Sequence, residues 1–156
     1  MGIQINIGDH SCPVQGWGPV RRPHLEMLNW ARKRAKLVAA NMPSADRYFM
    51  RLPGGRSLGD LLGDRSIWIN HDPAMREFGA QSIDHPHEIA LGQLAFAQGR
   101  WMVLGTMLHE LAHVNGAPGG SDRSAEMTLV HCGLGRLTEL RDGDDLKTPF
   151  MPGISG

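Results

Sequence analysis

The sequence is poor in cysteine and lacks any apolar run that could cross a membrane. Its two cysteines, Cys12 and Cys132, are too few for a disulfide scaffold or a four-cysteine zinc site, and they do not form a Cys-x-x-Cys pair. One disulfide and two free thiols are equally compatible with this pair. The longest apolar stretches fall far short of the roughly 20 residues that a membrane helix needs. We therefore expect no membrane segment.

Net charge and targeting signals are missing as well. Sixteen Lys and Arg residues balance sixteen Asp and Glu residues, so no global field attracts nucleic acid or an anionic membrane. The one basic cluster, Arg32-Lys33-Arg34-Ala35-Lys36, lies on a predicted helix, where such runs usually mark a solvated face. No basic segment followed by a hydrophobic one opens the chain. We expect a cytoplasmic location by default, with export by a dedicated secretion system left open. The oligomeric state is not determined by these features.

What is present fits one globular domain. The chain has 156 residues, of which 41% are hydrophobic, so residues 1–156 are long enough to bury a single core. The patterning predicts strands over residues 3–7, 66–70 and 88–94 and helices over 23–41, 100–115 and from 121 or 122 towards 140, with loops over 53–63 and 71–86, one helical turn near 74–78, and an irregular tail over about 142–156. These elements predict an α+β fold in which a small mixed sheet packs against the N-terminal helix and the helix over 100–115.

The chemistry is concentrated in the run His109-Glu110-Leu111-Ala112-His113. On a helix, residues four apart project from the same side, so His109 and His113 can aim imidazole nitrogens at one point. Such a point can hold a zinc ion, which accepts neutral imidazole and keeps one position for water at catalytic sites. Glu110 is offset by about 100° around the helix, so its carboxylate can take a proton from that water. Gly116 and Pro118 mark the end of this buried helix.

The segment from Met107 to His113 resembles the active-site helix of the zincin metallopeptidases. The resemblance covers roughly residues 100–132. It implies a helix-and-sheet domain that binds one zinc ion, with the substrate lying along an edge strand above the metal. In this family the third zinc ligand distinguishes the subfamilies. The metzincin pattern continues from His113 through Gly116, but Gly119 stands where that pattern requires a third His, and it has no side chain to coordinate with.

A carboxylate is therefore expected to complete the metal site. Gluzincin-like peptidases use a Glu from the helix that follows the motif, and Ser124-Ala125-Glu126 resembles that segment. Aspzincins use an Asp, for which Asp122 is the candidate. A flexible Pro-Gly-Gly turn at residues 118–120 can fold the second helix back, which favours the longer and later side chain. We predict His109, His113 and Glu126 as zinc ligands, with Asp122 as the alternative third ligand.

Other polar residues are expected to have structural roles. His131 is assigned to helix packing, Tyr48 to the core or its rim, and the group His85-Pro86-His87-Glu88 to a surface turn. The sequence thus predicts a zinc metallopeptidase that hydrolyses polypeptide through a zinc-activated water, with Glu110 as general base and then acid. The alternatives are a metal-stabilised binding or regulatory module without turnover, and a zinc hydrolase of a non-protein amide such as a cell-wall crosslink.

Overall fold

A computed structural model describes residues 2–119 and 122–134 of the chain. Within these residues it contains a four-stranded sheet and six helices. The strands are β1 (Gln4–Ile5), β2 (Trp68–Asp72), β3 (Gly79–Gln81) and β4 (Glu88–Gly92), and the helices are α1 (His24–Asn41), α2 (Pro43–Arg51), α3 (Leu58–Leu62), α4 (Gln93–Gln98), α5 (Arg100–Val114) and α6 (Ser124–His131). None of the helices in this part of the chain is long and apolar enough to span a membrane. The α+β class is confirmed.

The sheet has the strand order β1-β2-β4-β3. Strands β1, β2 and β4 run parallel, and β3 pairs antiparallel with β4, with Ala80 opposite Ala90. The sheet is therefore mixed, as the sequence predicts, and β1 and β3 form its two edges. Its inner strand β4 is buried along its whole length, because it has a neighbour on each side and helix α5 packs against it.

Helix α5 occupies the centre of the domain. Every residue from Met102 to Ala112 is buried, because α1, α4 and α6 pack around α5 and strands β3 and β4 lie against it. Helix α1 contributes Leu28, Ala31, Ala35 and Val38 to the same core, and these are helix-spaced positions. The prediction that the sheet packs against α5 is confirmed, and α5 is the central buried helix that the sequence indicates.

Several elements differ from the sequence prediction. Pro43 ends α1 but also begins α2, because proline is tolerated in the first turn of a helix, where its missing N–H has no partner to lose. The expected loop over 53–63 contains α3, whose capping residue Ser57 accepts a hydrogen bond from the Asp60 N–H. The expected loop over 71–86 contains β3. Strand β2 begins two residues later than predicted, and α4 follows β4 directly.

Candidate metal centre

The end of α5 fixes the position of the histidine motif. Gly116 adopts a φ of 89°, the left-handed conformation that closes a helix at little cost only with glycine. The buried Asn115 side chain donates to the carbonyl oxygens of Phe49 and Arg56 at 2.8 Å and accepts from the Arg56 N–H at 3.2 Å. These bonds attach the C-terminal end of α5 to α2 and to the segment between α2 and α3. The motif therefore sits on a helix that is anchored immediately after its last histidine.

The two histidines of the motif meet through their outer ring nitrogens. The Nε2 atoms of His109 and His113 lie 3.1 Å apart, with the ring planes inclined by 70°. Two imidazole nitrogens bound to one tetrahedral zinc ion lie about 3.3 Å apart, given zinc–nitrogen bonds of about 2.05 Å. The spacing therefore matches that of two ligands around a single ion.

Hydrogen bonding and burial prepare the two rings as ligands. Nδ1 of His113 lies 2.7 Å from the carbonyl oxygen of Ala117, so Nδ1 carries the proton that it donates, and Nε2 faces Nε2 of His109 as an acceptor. His109 is fully buried, and its Nδ1 has no hydrogen-bond partner among the described residues. Burial, followed by the neighbouring His113, lowers the pKa of His109 to about 3. The His109 ring is therefore neutral, the form of imidazole that binds zinc.

Glu110 places a carboxylate directly beside this pair. Its Oε1 lies 3.9 Å from Nε2 of His109, and both carboxylate oxygens are buried without a hydrogen-bond partner in the described part of the chain. Burial raises the pKa of Glu110 to about 8. Burying a carboxyl group without a hydrogen-bond partner lowers the stability of the folded protein. Such a group is typical of a functional site, where it acts as an acid or base.

The edge strand β3 approaches Glu110 closely. A Cβ atom added to Gly79 would lie 3.3 Å from Cγ of Glu110 and only 2.6 Å from Cγ2 of Thr106. Only a residue without a side chain fits between the strand and α5 here. The sequence does not indicate β3, because Gly79-Ala80-Gln81 has neither alternation nor strongly strand-forming residues.

The predicted third ligand lies on α6, which packs against α5. Glu126 is buried at 9% exposure, and its Oε2 has no partner among the described residues. Within residues 2–119 and 122–134, no group of three or more His, Cys, Asp or Glu side chains is arranged to hold a metal ion. The structure thus brings His109 and His113 together but does not add Glu126 to their group. Glu126 as third ligand stays a prediction.

Asp122, the alternative third ligand, is exposed. Its Oδ1 accepts a hydrogen bond from the Ser124 N–H at 2.8 Å, so it forms a turn immediately before α6. Hydrogen bonds from Ser124 and, to a smaller degree, the charge of His113 lower the pKa of Asp122. Asp122 therefore lies within electrostatic reach of the histidine pair, and it also remains a candidate.

Helix α2 holds α6 against the motif helix. The Tyr48 hydroxyl donates to the carbonyl oxygen of Ser124, and the Tyr48 ring stacks on His131 with centroids 4.2 Å apart. Ser44 Oγ donates to the His131 carbonyl oxygen at 2.9 Å. The packing role predicted for His131 is confirmed. Tyr48 is half-buried at the rim, as predicted, and it also contacts the helix that carries Glu126, which no local sequence pattern indicates.

A second polar cluster lies elsewhere on the sheet. Nε2 of His10 lies 3.0 Å from both oxygens of Glu88, and Asn70 donates to the same carboxylate at 3.0 Å. The sequence predicts a surface turn for His85-Pro86-His87-Glu88 and also a strand that begins at Glu88. The structure confirms the strand, since Glu88 is the first residue of β4 and is buried. His85 and His87 are exposed, as expected. Cys12 and Cys132 are free thiols.

The donor set around α5 fits zinc in its chemistry. It offers two imidazole nitrogens at ligand spacing and buried carboxylate oxygens without partners among the described residues. The last helix ends at His131, earlier than the predicted extension towards residue 140. Residues 135–156, which include the predicted C-terminal tail, lie outside the described residues. No protein-family model, curated protein or solved structure matches the chain.

Proposed function

We propose that this protein is a zinc-dependent peptidase with a zincin-like domain. The observation that carries the proposal is the 3.1 Å approach of the Nε2 atoms of His109 and His113, beside a Glu110 carboxyl group that has no partner among the described residues. A buried carboxyl group beside a purely structural pair of histidines would be expected to have a hydrogen-bond partner. The two Nε2 atoms and the unpartnered Glu110 oxygens are the atoms that a hydrolytic metal site uses.

His109, His113 and Glu126 would hold the metal, with Asp122 as the alternative to Glu126. Zinc, when bound, supplies Lewis-acid polarisation of the scissile carbonyl and lowers the pKa of a coordinated water. The surrounding residues of the chain position the two histidine rings. The Ala117 carbonyl oxygen orients the His113 ring, and packing around α5 holds the His109 ring in place.

Glu110 would act as the general base and then as the general acid. In the metal-free protein burial favours the protonated carboxyl group. A cation held by the two histidines would favour the carboxylate, which is the form that can take a proton from attacking water. The same carboxyl group can then donate this proton to the departing amine. A group whose pKa is raised towards neutrality is well suited to both transfers.

The free backbone groups of the edge strand β3 favour a polypeptide as the substrate. Phe78 and Ser82 flank β3 and bond to β4 through backbone groups, so by strand alternation the backbone groups of Gly79 and Gln81 point away from β4. These groups can pair with an extended substrate, and Gly79 is also next to Glu110. Pairing at this edge would bring a peptide bond towards the proposed metal site.

The first experiment measures zinc content and proteolysis together. We expect the purified protein to bind one zinc ion and to cleave an unstructured substrate such as fluorescein-labelled casein, with loss of cleavage in a chelator and recovery on adding zinc. Glu110→Gln should retain zinc but lose cleavage by at least about 100-fold, the usual scale of a general base. Zinc binding without cleavage of casein would contradict the peptidase assignment and favour a metal-stabilised binding module. Metal-dependent release from peptidoglycan alone would favour a non-protein amide.

A matched pair of variants identifies the third ligand. Glu126→Gln and Asp122→Asn each replace a carboxylate by an amide of the same shape. We expect Glu126→Gln to weaken zinc affinity strongly and Asp122→Asn to leave it within a few-fold of the unmodified protein, as measured by competition with a chromogenic chelator. The reverse result would assign Asp122 as the ligand.

A further inference from the structure

Strand β1 is the free edge of the sheet opposite β3. Gln4 and Asn6 donate their N–H groups to the carbonyl oxygens of Ile67 and Ile69, next to and within β2. Because successive backbone groups of a strand point in opposite directions, the N–H and C=O of the intervening Ile5 point away from β2. No described strand pairs with β1 on that side. Next to Ile5 on this side, the Ile3 carbonyl oxygen accepts from Arg32 and the Ile7 N–H donates to Asp9 Oδ1, so the backbone groups of Ile5 are the ones that can pair with a further strand.

A groove of about 460 Å³ runs beside this edge. One wall is the strand itself, from Gly2 to Ile7, and the other is the outer face of α1. Apolar side chains are available along it, since Leu25 is only half-buried and Ile7 is 56% exposed. The groove is thus an elongated surface with backbone hydrogen-bonding groups on one side and apolar side chains within reach.

The charge of the groove has a single sign. Of the described residues that line it, three are basic, namely Arg32, Lys36 and Arg65, and none is acidic. This is a local excess in a chain whose overall charge is zero. A surface with cations and no carboxylate favours a partner that carries negative charge.

Two of the cations come from the basic cluster on α1, which is therefore not a uniform solvated face. Arg32 donates from Nη1 to the Ile3 carbonyl oxygen at 3.1 Å and from Nη2 to Asn29 Oδ1 at 3.2 Å, so its guanidinium is held against the strand. Lys36 follows one turn later on the same side and is exposed. Arg34 instead lies over the Trp101 ring. The cluster thus directs only some of its charges to the groove.

The third cation comes from the segment before β2. Arg65 is exposed, and its carbonyl oxygen accepts a hydrogen bond from Gln4 Nε2 at 2.7 Å. This bond ties the segment that carries Arg65 to β1. The cations therefore belong to two different segments that are each bonded to residues at or next to the strand.

We propose that the β1 edge binds an extended, acidic polypeptide segment by strand addition. The partner's backbone pairs with Ile5, and carboxylate side chains reach Arg32, Lys36 and Arg65. A polynucleotide fits these features less well, because none of the described residues lining the groove is aromatic and so none can stack on a base. The surface lies at the opposite edge from Gly79 and does not depend on zinc.

The test uses fluorescence anisotropy with a labelled eight-residue peptide that alternates Glu and Val. It is measured on the full chain carrying Glu110→Gln, so that proteolysis cannot remove the probe. We expect saturable binding that weakens as salt is added. Replacing Glu by Lys in the peptide should abolish binding, and methylating its backbone nitrogens should weaken binding by at least about tenfold, because the edge pairing is then blocked. Equal binding of the methylated peptide, or no binding of the parent peptide, overturns the proposal.

Charge reversal on α1 provides the matched control. Lys36→Glu should weaken binding of the acidic peptide about tenfold, whereas Lys33→Glu, an exposed position three residues earlier that does not line the groove, should change it less than threefold. Equal effects of the two variants would show non-specific attraction and overturn the site. Tighter binding of single-stranded oligothymidine than of the peptide, or self-association that Lys36→Glu abolishes, would also overturn it in favour of nucleic acid or a second copy of the chain.

Discussion

Gly79, on the edge strand β3, packs directly against Glu110, on the motif helix α5. A Cβ atom at position 79 would lie 3.3 Å from Cγ of Glu110, and 2.6 Å and 2.9 Å from Cγ2 of Thr106 and the Ala90 carbonyl oxygen. The absence of a side chain at Gly79 thus sets how close the strand comes to the proposed catalytic carboxyl group. The position of the sheet edge therefore depends on its direct contact with the motif helix.

We expect Gly79→Ala to destabilise the protein and to lower peptidase activity. The added methyl group meets side-chain and backbone atoms at distances that force β3 away from α5, and overpacking of this kind typically costs about 1–3 kcal/mol. Urea unfolding and casein cleavage measure the two effects. Gly18→Ala is the control, because a Cβ there meets nothing within 4 Å. If Gly79→Ala leaves stability and activity unchanged, the close approach has no functional role.

The buried Glu110 makes the stability of the metal-free protein depend on pH. The folded protein keeps this carboxyl group protonated up to a pKa of about 8, whereas the unfolded chain releases the proton near 4.5, so this contribution to stability falls as pH rises through that window. His109 acts in the opposite direction, because its pKa is lowered from 6.5 to about 3 and its contribution falls as pH drops below 6.5. The two effects oppose each other between pH 4.5 and 6.5.

The unfolding free energy of the metal-free protein is therefore expected to decline measurably above pH 6.5. Between pH 6.5 and 8, the metal-free protein should lose about 2 kcal/mol of unfolding free energy, since one proton is involved over about 1.5 pH units. Urea titrations in the presence of a chelator measure this quantity. Glu110→Gln cannot titrate and should remove the decline from this range. A decline that persists in Glu110→Gln would assign it to another group.

Tyr48 is expected to position α6 and, through it, the third zinc ligand. Tyr48→Phe removes the hydrogen bond to the Ser124 carbonyl oxygen and should cost about 0.5–1.5 kcal/mol in unfolding free energy. Because Glu126 lies two residues further along α6, zinc affinity should also weaken several-fold. Ser44→Ala is the matched control, since it removes one hydrogen bond from α2 to the other end of α6, at His131. Equal zinc affinities in the two variants would contradict the positioning role.

Asn115 is expected to be among the most sensitive structural residues. Asn115→Ala removes three hydrogen bonds and leaves the carbonyl oxygens of Phe49 and Arg56 without this partner, which should cost about 2–4 kcal/mol. Differential scanning calorimetry measures the loss. Asn41→Ala removes a single exposed bond to Leu37 and should change stability by about 0.5 kcal/mol or less. Similar losses in both variants would show that Asn115 does not anchor α5.

The elements that the sequence predicts correctly are those whose signals are local. Helix α1 repeats apolar residues at helical spacing, and Leu28, Ala31, Ala35 and Val38 are all buried as this spacing requires. Helix α5 is apolar, and Gly116 and Pro118 mark its end. Because His109 and His113 are four residues apart on one helix, their convergence follows from helix geometry alone.

What the sequence by itself determined is therefore the motif helix, the paired histidines, the adjacent carboxylate and the α+β class. The tertiary structure alone decided that Gly79-Ala80-Gln81 becomes a strand, because that segment has weak strand propensity and is held by pairing with β4. It also decided the placement of α6 through Tyr48, Ser44 and their partners on a helix far away in the chain. Contacts between distant segments depend on how the whole chain packs, so they cannot be predicted from a local pattern of residues.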